Sequence, residues 1–272
     1  MVKLSGFADE ISPELDVQLD TLDSLGIRFL ELRGVWGKNI LALSDDELDQ
    51  VKAELDRRGI GVSAIGSPVG KAPIDNDFEA YRQVVQRAID VAIKMDCPYI
   101  RIFSFYCADR QADRAEVMRR MQAMVDMAAA RGVTMLHENE KGIYGETAIQ
   151  CADLHKTVKG DAFRATFDPA NFVQAGVRPF DEAFPLLKPY IEYFHVKDAL
   201  MADGHVVPAG EGDGQMRELM QAAKAMGYDG FLSLEPHLKV AGHSSGFTGP
   251  DLFATAANAL RKILDELDIK YA

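Results

Sequence analysis

One unit recurs along the whole chain: a short β-rich run, a polar loop, then an amphipathic helix. The predicted runs are Lys3–Phe7, Phe29–Arg33, Gly61–Ile65, Tyr99–Phe105, Thr134–Glu138, Arg164–Asp168, Glu192–Val196 and Phe231–Glu235. Ser12-Pro13-Glu14 predicts the first helix start, with Ser12 as N-cap and Pro13 in the first turn. Ser44-Asp45-Asp46-Glu47 reads as a capping box. Asp77 to about Met95 carries Val84, Val85, Ala88, Val91 and Ala92 at helical spacing. Gly26, Gly59, Gly132 and Gly227 follow helical patterns, as glycines do where a helix ends and the chain turns back. Eight strands, each followed by a helix, demand a parallel sheet with covered faces. A doubly wound sheet would want a glycine fingerprint after its first strand, and Gly6-Phe7-Ala8-Asp9-Glu10 lacks it. The predicted fold is therefore α/β, a closed (β/α)8 barrel spanning residues 1–272 as a single domain.

Composition narrows the partners. The chain has 272 residues, close to the ~250 of such a barrel. It carries 30 basic and 42 acidic residues, a formal charge of −12, which repels nucleic-acid phosphates and anionic lipid. No apolar run is long enough to span a bilayer, and Asp9 and Glu10 interrupt any apolar leader core. Cys97, Cys107 and Cys151 are odd in number and show no metal spacing, which fits free thiols in a reducing cytoplasm. Met118, Met121, Met124 and Met127 recur every three residues and read as helix packing against the barrel.

Barrels of this kind carry their chemistry at the C-terminal ends of the strands. Here those ends read His137-Glu138-Asn139-Glu140, Phe167-Asp168-Pro169, His195-Val196-Lys197-Asp198 and Glu235-Pro236-His237. Strand alternation puts Glu138, Asp168, His195 and Glu235 on the inward face and turns His137 outward. Any one of them has an ordinary explanation, since strand-end carboxylates often cap helices. Together they would crowd three carboxylates, which repel unless a cation joins them. An oxygen-rich set with one imidazole suits Mn²⁺ first, with Mg²⁺, Co²⁺ or Zn²⁺ as alternatives. Alternation also turns Glu31, Arg33 and Arg101 inward, where an unpaired charge is costly. Arg101 is expected on an inward carboxylate, either Glu31 or Glu138.

With Glu138-Asn139, Asp168-Pro169-Ala170-Asn171, His195-Val196-Lys197-Asp198, Gly210-Glu211-Gly212-Asp213 and Ser233-Leu234-Glu235-Pro236-His237 in view, the chain resembles the sugar phosphate isomerase/epimerase superfamily, the xylose-isomerase-like TIM barrels. The resemblance covers essentially the whole chain. It implies one divalent metal held by Glu138, Asp168, His195 and Glu235, with Glu138 and Glu235 moving protons on opposite faces of a sugar, keto-sugar or polyol through an enediolate. The same residues would serve a keto-polyol dehydratase or lyase. A catalytically silent carbohydrate-binding barrel is the alternative from another class. Asn171 stands where the endonuclease branch has a histidine, and Ser67 and Ser104 offer none, so a three-metal site is not expected. The ketohexose epimerases place a His near Asn171 and an Arg shortly after the metal His; this chain has neither, so their substrate contacts do not transfer.

Lys197, His237, Asn171, Glu211 and Trp36 are the candidate substrate contacts. Glu140 and Lys141 are expected to pair with each other. Gly210-Glu211-Gly212-Asp213-Gly214 reads as a turn with Asp213 as N-cap rather than a phosphate cradle, because its acids would repel a phosphate. Residues 241–249 read as an active-site loop, with a phosphate-holding role the lesser alternative. A homo-oligomer is left open.

Overall fold

A computed structural model describes residues 1–239 and 247–272. Among them eight parallel strands form one sheet: β1 (Lys3–Gly6), β2 (Phe29–Leu32), β3 (Gly61–Gly66), β4 (Tyr99–Ile102), β5 (Thr134–Glu138), β6 (Phe163–Phe167), β7 (Ile191–Val196) and β8 (Phe231–Leu234). The ladders run β1–β8–β7–β6–β5–β4–β3–β2. The two end strands, β1 and β2, lie side by side without a ladder, so the barrel is nearly closed. The helices are α1 (Leu15–Ser24), α2 (Asp45–Arg58), α3 (Phe78–Lys94), α4 (Arg110–Ala129), α5 (Ala148–Thr157), α6 (Pro169–Gln174), α7 (Phe184–Leu187), α8 (Met216–Ala225) and α9 (Pro250–Glu266).

Alternation sorts the strands into two packing zones. Leu30, Leu32, Ile100, Ile102, Met135, Phe194, Leu232 and Leu234 face the helices and join one continuous core. The opposite parity fills the barrel. Ala64, Leu136 and Tyr193 form a separate apolar cluster low in the interior. There Ser63 Oγ lies 2.6 Å from Ser5 Oγ and 2.8 Å from the Tyr193 hydroxyl, so the buried hydroxyls satisfy one another. Met118, Met121 and Met124 are buried, and Met127 packs against the core. All three cysteines are free thiols.

Most local signals hold. Ser44 and Glu47 form the reciprocal capping box, and Asp77 caps α3. Gly59 closes α2 in the left-handed conformation (φ 65°) that a side chain resists. Two readings need correction. Helix α1 begins at Leu15 with Glu14 at its cap position, so Ser12 and Pro13 lie outside it; the Ser12 hydroxyl accepts from Glu14 N–H instead. Asp213 does not cap α8, whose cap position is Gln215; its carboxylate accepts from Met201 N–H. The reading of residues 241–246 as a loop falls outside the described residues.

Candidate active site

The four strand-end residues come together. One ligand-type atom from each of Glu138, Asp168, His195 and Glu235 lies within 4.8 Å of the other three, and all four side chains are buried. His195 Nδ1 is 3.3 Å from Glu138 Oε1 and 3.6 Å from both Asp168 Oδ2 and Glu235 Oε2. Each residue arrives by a different local device. Glu138 ends β5. Asp168 follows β6 and caps α6, its Oδ1 accepting from Asn171 N–H at 2.8 Å, which leaves Oδ2 turned to the cluster. His195 is the inward residue near the end of β7, and Glu235 follows β8.

Neighbouring groups fix these side chains. His195 Nε2 lies 3.2 Å from Glu31 Oε2. A carboxylate only accepts, so this nitrogen is the donor, and in the neutral ring the Nδ1 lone pair faces the cluster. The Ser233 hydroxyl donates to the same Glu31 oxygen. Arg101 donates to Glu138 Oε2 at 2.7 Å, so of the two expected partners it is Glu138 that takes it. Asn171 spends its side-chain amide on Glu138 Oε1 (3.0 Å) and the Asn139 carbonyl (2.9 Å). Arg33 donates to Glu235 Oε1 at 3.0 Å and, through Nε, to Asp9 at 2.8 Å.

The electrostatics follow from this crowding. Burial alone would raise Glu138, but His195 and Arg101 outweigh it and hold its carboxyl below the usual range. Glu235 is lowered too, against its burial, chiefly by Lys197 and His237. The surrounding carboxylates overcome burial at His195 and Lys197 and raise both. Among the described residues His195 Nδ1, which faces the cluster, has no hydrogen-bond partner, and Asp168 Oδ2 has only the Lys197 ammonium, 2.8 Å away. Three carboxylates and one imidazole, whose Nε2 is held by Glu31 and whose Nδ1 is unpartnered, could together hold a divalent cation.

The candidate substrate contacts divide. Lys197 is buried in the cluster, its Nζ 2.8 Å from Asp168 Oδ2 and 2.9 Å from Glu235 Oε2. His237 lies beside it, with Nε2 3.4 Å from Glu235 Oε1 and 3.1 Å from Glu10 Oε1. Trp36 is half-buried at the tip of the Gly34–Val35/Lys38–Asn39 hairpin, where it and Gly37 both take positive φ. Glu211 is exposed on a separate cleft of about 710 Å³ with Arg217 and Lys262, and none of the four clustered residues lines that cleft. The glycine-rich stretch around it has a structural role. The buried Asp198 carboxylate accepts from the N–H groups of Ala199, Gly210, Gly212 and Gly214, and a Cβ on Gly212 or Gly214 would overlap it. The expected Glu140–Lys141 pair is not the one formed: Glu140 pairs with Lys71 at 3.0 Å and accepts only the backbone N–H of Lys141.

Sequence reasoning missed Glu10 and Asp9, which enter the site from the turn after β1. Glu10 is fully buried; its Oε2 accepts from His237 N–H at 2.8 Å and from the Thr248 hydroxyl at 2.7 Å. The available signal was position, since both residues follow a strand at the same end of the barrel as Glu138 and Glu235.

A nearly closed parallel barrel with a buried polar cluster at the C-terminal ends of its strands defines a broad class of enzyme scaffolds. Within it, a profile of the xylose isomerase-like TIM barrel matches residues 19–268, and the chain belongs to that family. No curated protein matches the sequence. Solved structures similar to it include the probable 3-DHS dehydratase AsbF of Bacillus anthracis, involved in petrobactin synthesis (19% identity, TM-score 0.77, covering 96% of this chain and 99% of that one). A D-tagatose 3-epimerase-like protein is also similar (17%, 0.77, 98% and 98%). So is a xylose isomerase-like TIM barrel protein of Mycobacterium smegmatis in complex with magnesium (18%, 0.68, 98% and 97%). At these identities the likeness shows the fold.

Proposed function

We propose that the chain is a divalent-metal-dependent isomerase or epimerase of a sugar, keto-sugar or polyol, working through an enediolate, with Glu138 and Glu235 as the proton-transfer groups. The observation that carries this reading is the convergence of Glu138, Asp168, His195 and Glu235 within 4.8 Å, with His195 Nδ1 unpartnered among the described residues. Those four residues would hold the ion, Mn²⁺ by preference. Bound there, a divalent cation supplies Lewis acidity that polarises a carbonyl and its neighbouring hydroxyl and so acidifies the C–H between them.

The protein's own residues supply the rest. Glu138 and Glu235 each turn one oxygen to the cluster and give the other to an arginine, Arg101 or Arg33. One carboxylate removes the proton and keeps it, and the other, protonated from solvent before the step, delivers its own proton to the opposite face or the neighbouring carbon. Lys197 is close enough to both Asp168 and Glu235 to donate to a substrate oxygen seated between them. Burial of the cluster keeps bulk water from the carbanionic carbon and strengthens every charge interaction within it. The free thiols fit a cytoplasmic enzyme, and we take the chain as one domain.

The test is incubation with Mn²⁺ and a panel of keto-sugars and inososes in D₂O, read by NMR and mass spectrometry. The reading expects one solvent deuterium beside the carbonyl with the carbon skeleton and oxygen count kept. Loss of water would assign the same site to a dehydratase. Absence of both exchange and elimination across the panel would contradict the proposal.

A further inference from the structure

Beside the metal-type cluster lies a second group of buried polar atoms that the proton-transfer scheme does not use. Asp9 Oδ1, Glu10 Oε1, Arg33 Nη2 and His237 Nε2 are all buried and, among the described residues, all lack a hydrogen-bond partner. They belong to one patch. Glu10 Oε1 lies 3.6 Å from Arg33 Nη2 and 3.1 Å from His237 Nε2, close enough for ionic attraction but without hydrogen-bond geometry. Arg33 ties the patch to the cluster through Glu235, and its guanidinium lies 4.3 Å from the centre of the Phe7 ring. Asp9 and Arg33 also line a cavity of about 500 Å³, together with Pro68 and Phe247.

Four unsatisfied atoms in one native patch require an explanation, because each unmade hydrogen bond of this kind costs about 1–3 kcal/mol. The mixture of types is informative. Two carboxylate oxygens only accept, a guanidinium N–H only donates, and the imidazole nitrogen does either according to its protonation. A phosphate dianion only accepts, and it would meet Asp9, Glu10 and Glu235, while the cations near them are already engaged: Arg33, Lys197 and His237 face these carboxylates, and Lys38 of the cavity wall pairs with Glu47. An ammonium group only donates and would meet Arg33. Glu10, Glu235 and His237 do bring ligand-type atoms within 4.8 Å of one another, but that group has only three members and Arg33 lies against both of its carboxylates, so a further metal ion fits it less well than hydroxyl groups do. Hydroxyl groups both donate and accept, and adjacent hydroxyls can satisfy unlike partners at once.

Resting on the reading of the neighbouring cluster as a metal-dependent isomerase site, we infer that Asp9, Glu10, Arg33 and His237 form a subsite for the hydroxyl groups at the non-reacting end of an uncharged polyol or keto-sugar. The substrate class is accordingly unphosphorylated at that end. The substrate's hydroxyls complete the hydrogen bonds the patch lacks, and the 500 Å³ cavity gives the chain of carbons its space.

The test is calorimetric binding to the Mn²⁺-loaded full-length protein. The probes are D-fructose, D-psicose, D-tagatose and myo-inositol, set against D-fructose 6-phosphate and inorganic phosphate. Asp9→Asn, which keeps the side chain's size, is compared with wild type, and Mn²⁺ binding to each protein is titrated separately. The subsite predicts that at least one uncharged probe binds tenfold or more tightly than the phosphate ester. It also predicts that Asp9→Asn weakens that probe about tenfold, at the low end of a lost charge-assisted hydrogen bond, with unchanged Mn²⁺ affinity. With a turned-over probe, the loss falls on KM rather than kcat. Equal or tighter binding of the phosphate ester, no binding of any uncharged probe, or an Asp9→Asn protein that binds the probe as wild type does would each overturn the subsite. Failure of wild-type protein to bind Mn²⁺ would overturn the metal-site reading itself, and the subsite with it.

Discussion

The two glutamates of the site are set in unlike surroundings. Glu138 sits in a closed arrangement: Arg101 holds one oxygen, Asn171 holds the other, and Asn171 is itself anchored on the Asn139 carbonyl. Glu235 shares every partner it has. Arg33 divides between Asp9 and Glu235, Lys197 between Asp168 and Glu235, and His237 between Glu10 and Glu235. A carboxylate gripped on both oxygens, one of them by a guanidinium that pairs with no other carboxylate among the described residues, keeps one orientation. One in a shared network can exchange partners when a ligand arrives, and this half borders a cavity through Asp9 and Arg33. The difference teaches that, on the proposed reading, the two proton-transfer glutamates would work as a fixed member and an adaptable one.

The most severe way to probe the pair is to remove a carboxylate charge. Glu138→Gln and Glu235→Gln keep size but lose basicity, and each should cost about 10²–10⁴ in turnover, the range of a general acid–base group. Both should also weaken the metal. If one variant kept wild-type turnover, that glutamate would not be a proton-transfer group and the pairing would break.

The arginines come next. Arg101→Met leaves Glu138 with no guanidinium in a buried place, so it should cost about 3–5 kcal/mol of stability, as breaking a buried pair does. Loss of such a supporting partner should also lower kcat by about 10–100-fold. Arg33→Met leaves Glu235 with Lys197 and His237 but also strips Asp9 and Glu10 of their guanidinium, so its stability loss should be at least as large, while kcat should fall less than in Arg101→Met and KM should rise. Denaturant midpoints and steady-state kinetics on both variants measure the contrast. Equal effects would show that the two halves are equivalent.

The smallest effect concerns the back of the Glu138 strand. His137, on the outward face of β5, is buried and held down to about 3. His155, packed between Phe163 and Tyr190, is also lowered by burial, and neither ring nitrogen has a partner. Both rings are neutral when folded, whereas in the unfolded chain they take protons below about pH 6.5. Their contribution to stability is therefore whole above that pH and falls as pH drops from about 6.5 toward 3. His155→Phe should make that fall shallower in pH-dependent chemical denaturation. It should also raise stability by about 1 kcal/mol through removal of unsatisfied nitrogens. An unchanged acid profile would show that His155 does not contribute to the protein's acid sensitivity.

The sequence alone carried the barrel because its evidence was repeated eight times, and an error of a residue or two at any strand end changed nothing. Glu138, Asp168, His195 and Glu235 were legible for a related reason: strand parity is a local property, and each lies at or just beyond the end of a strand. What escaped was pairing between distant segments. Glu10 meets Thr248 across 238 positions, and Arg33 meets Glu235 across 202. No local pattern announces such contacts. Glu31 was read as inward, yet its partner proved to be His195 rather than Arg101. Asp213 misled because a good capping residue near a helix start was drawn into the loop that Asp198 organises.

The central claim is that Glu138, Asp168, His195 and Glu235 form one divalent-metal site. A crystal structure of the protein grown with Mn²⁺, with anomalous scattering recorded to locate the ion, tests it directly. The account predicts one strong peak bound by all four side chains at about 2.0–2.4 Å, through His195 Nδ1 and with Arg101 still on Glu138. A peak elsewhere, or full Mn²⁺ occupancy without these four ligands, would contradict it.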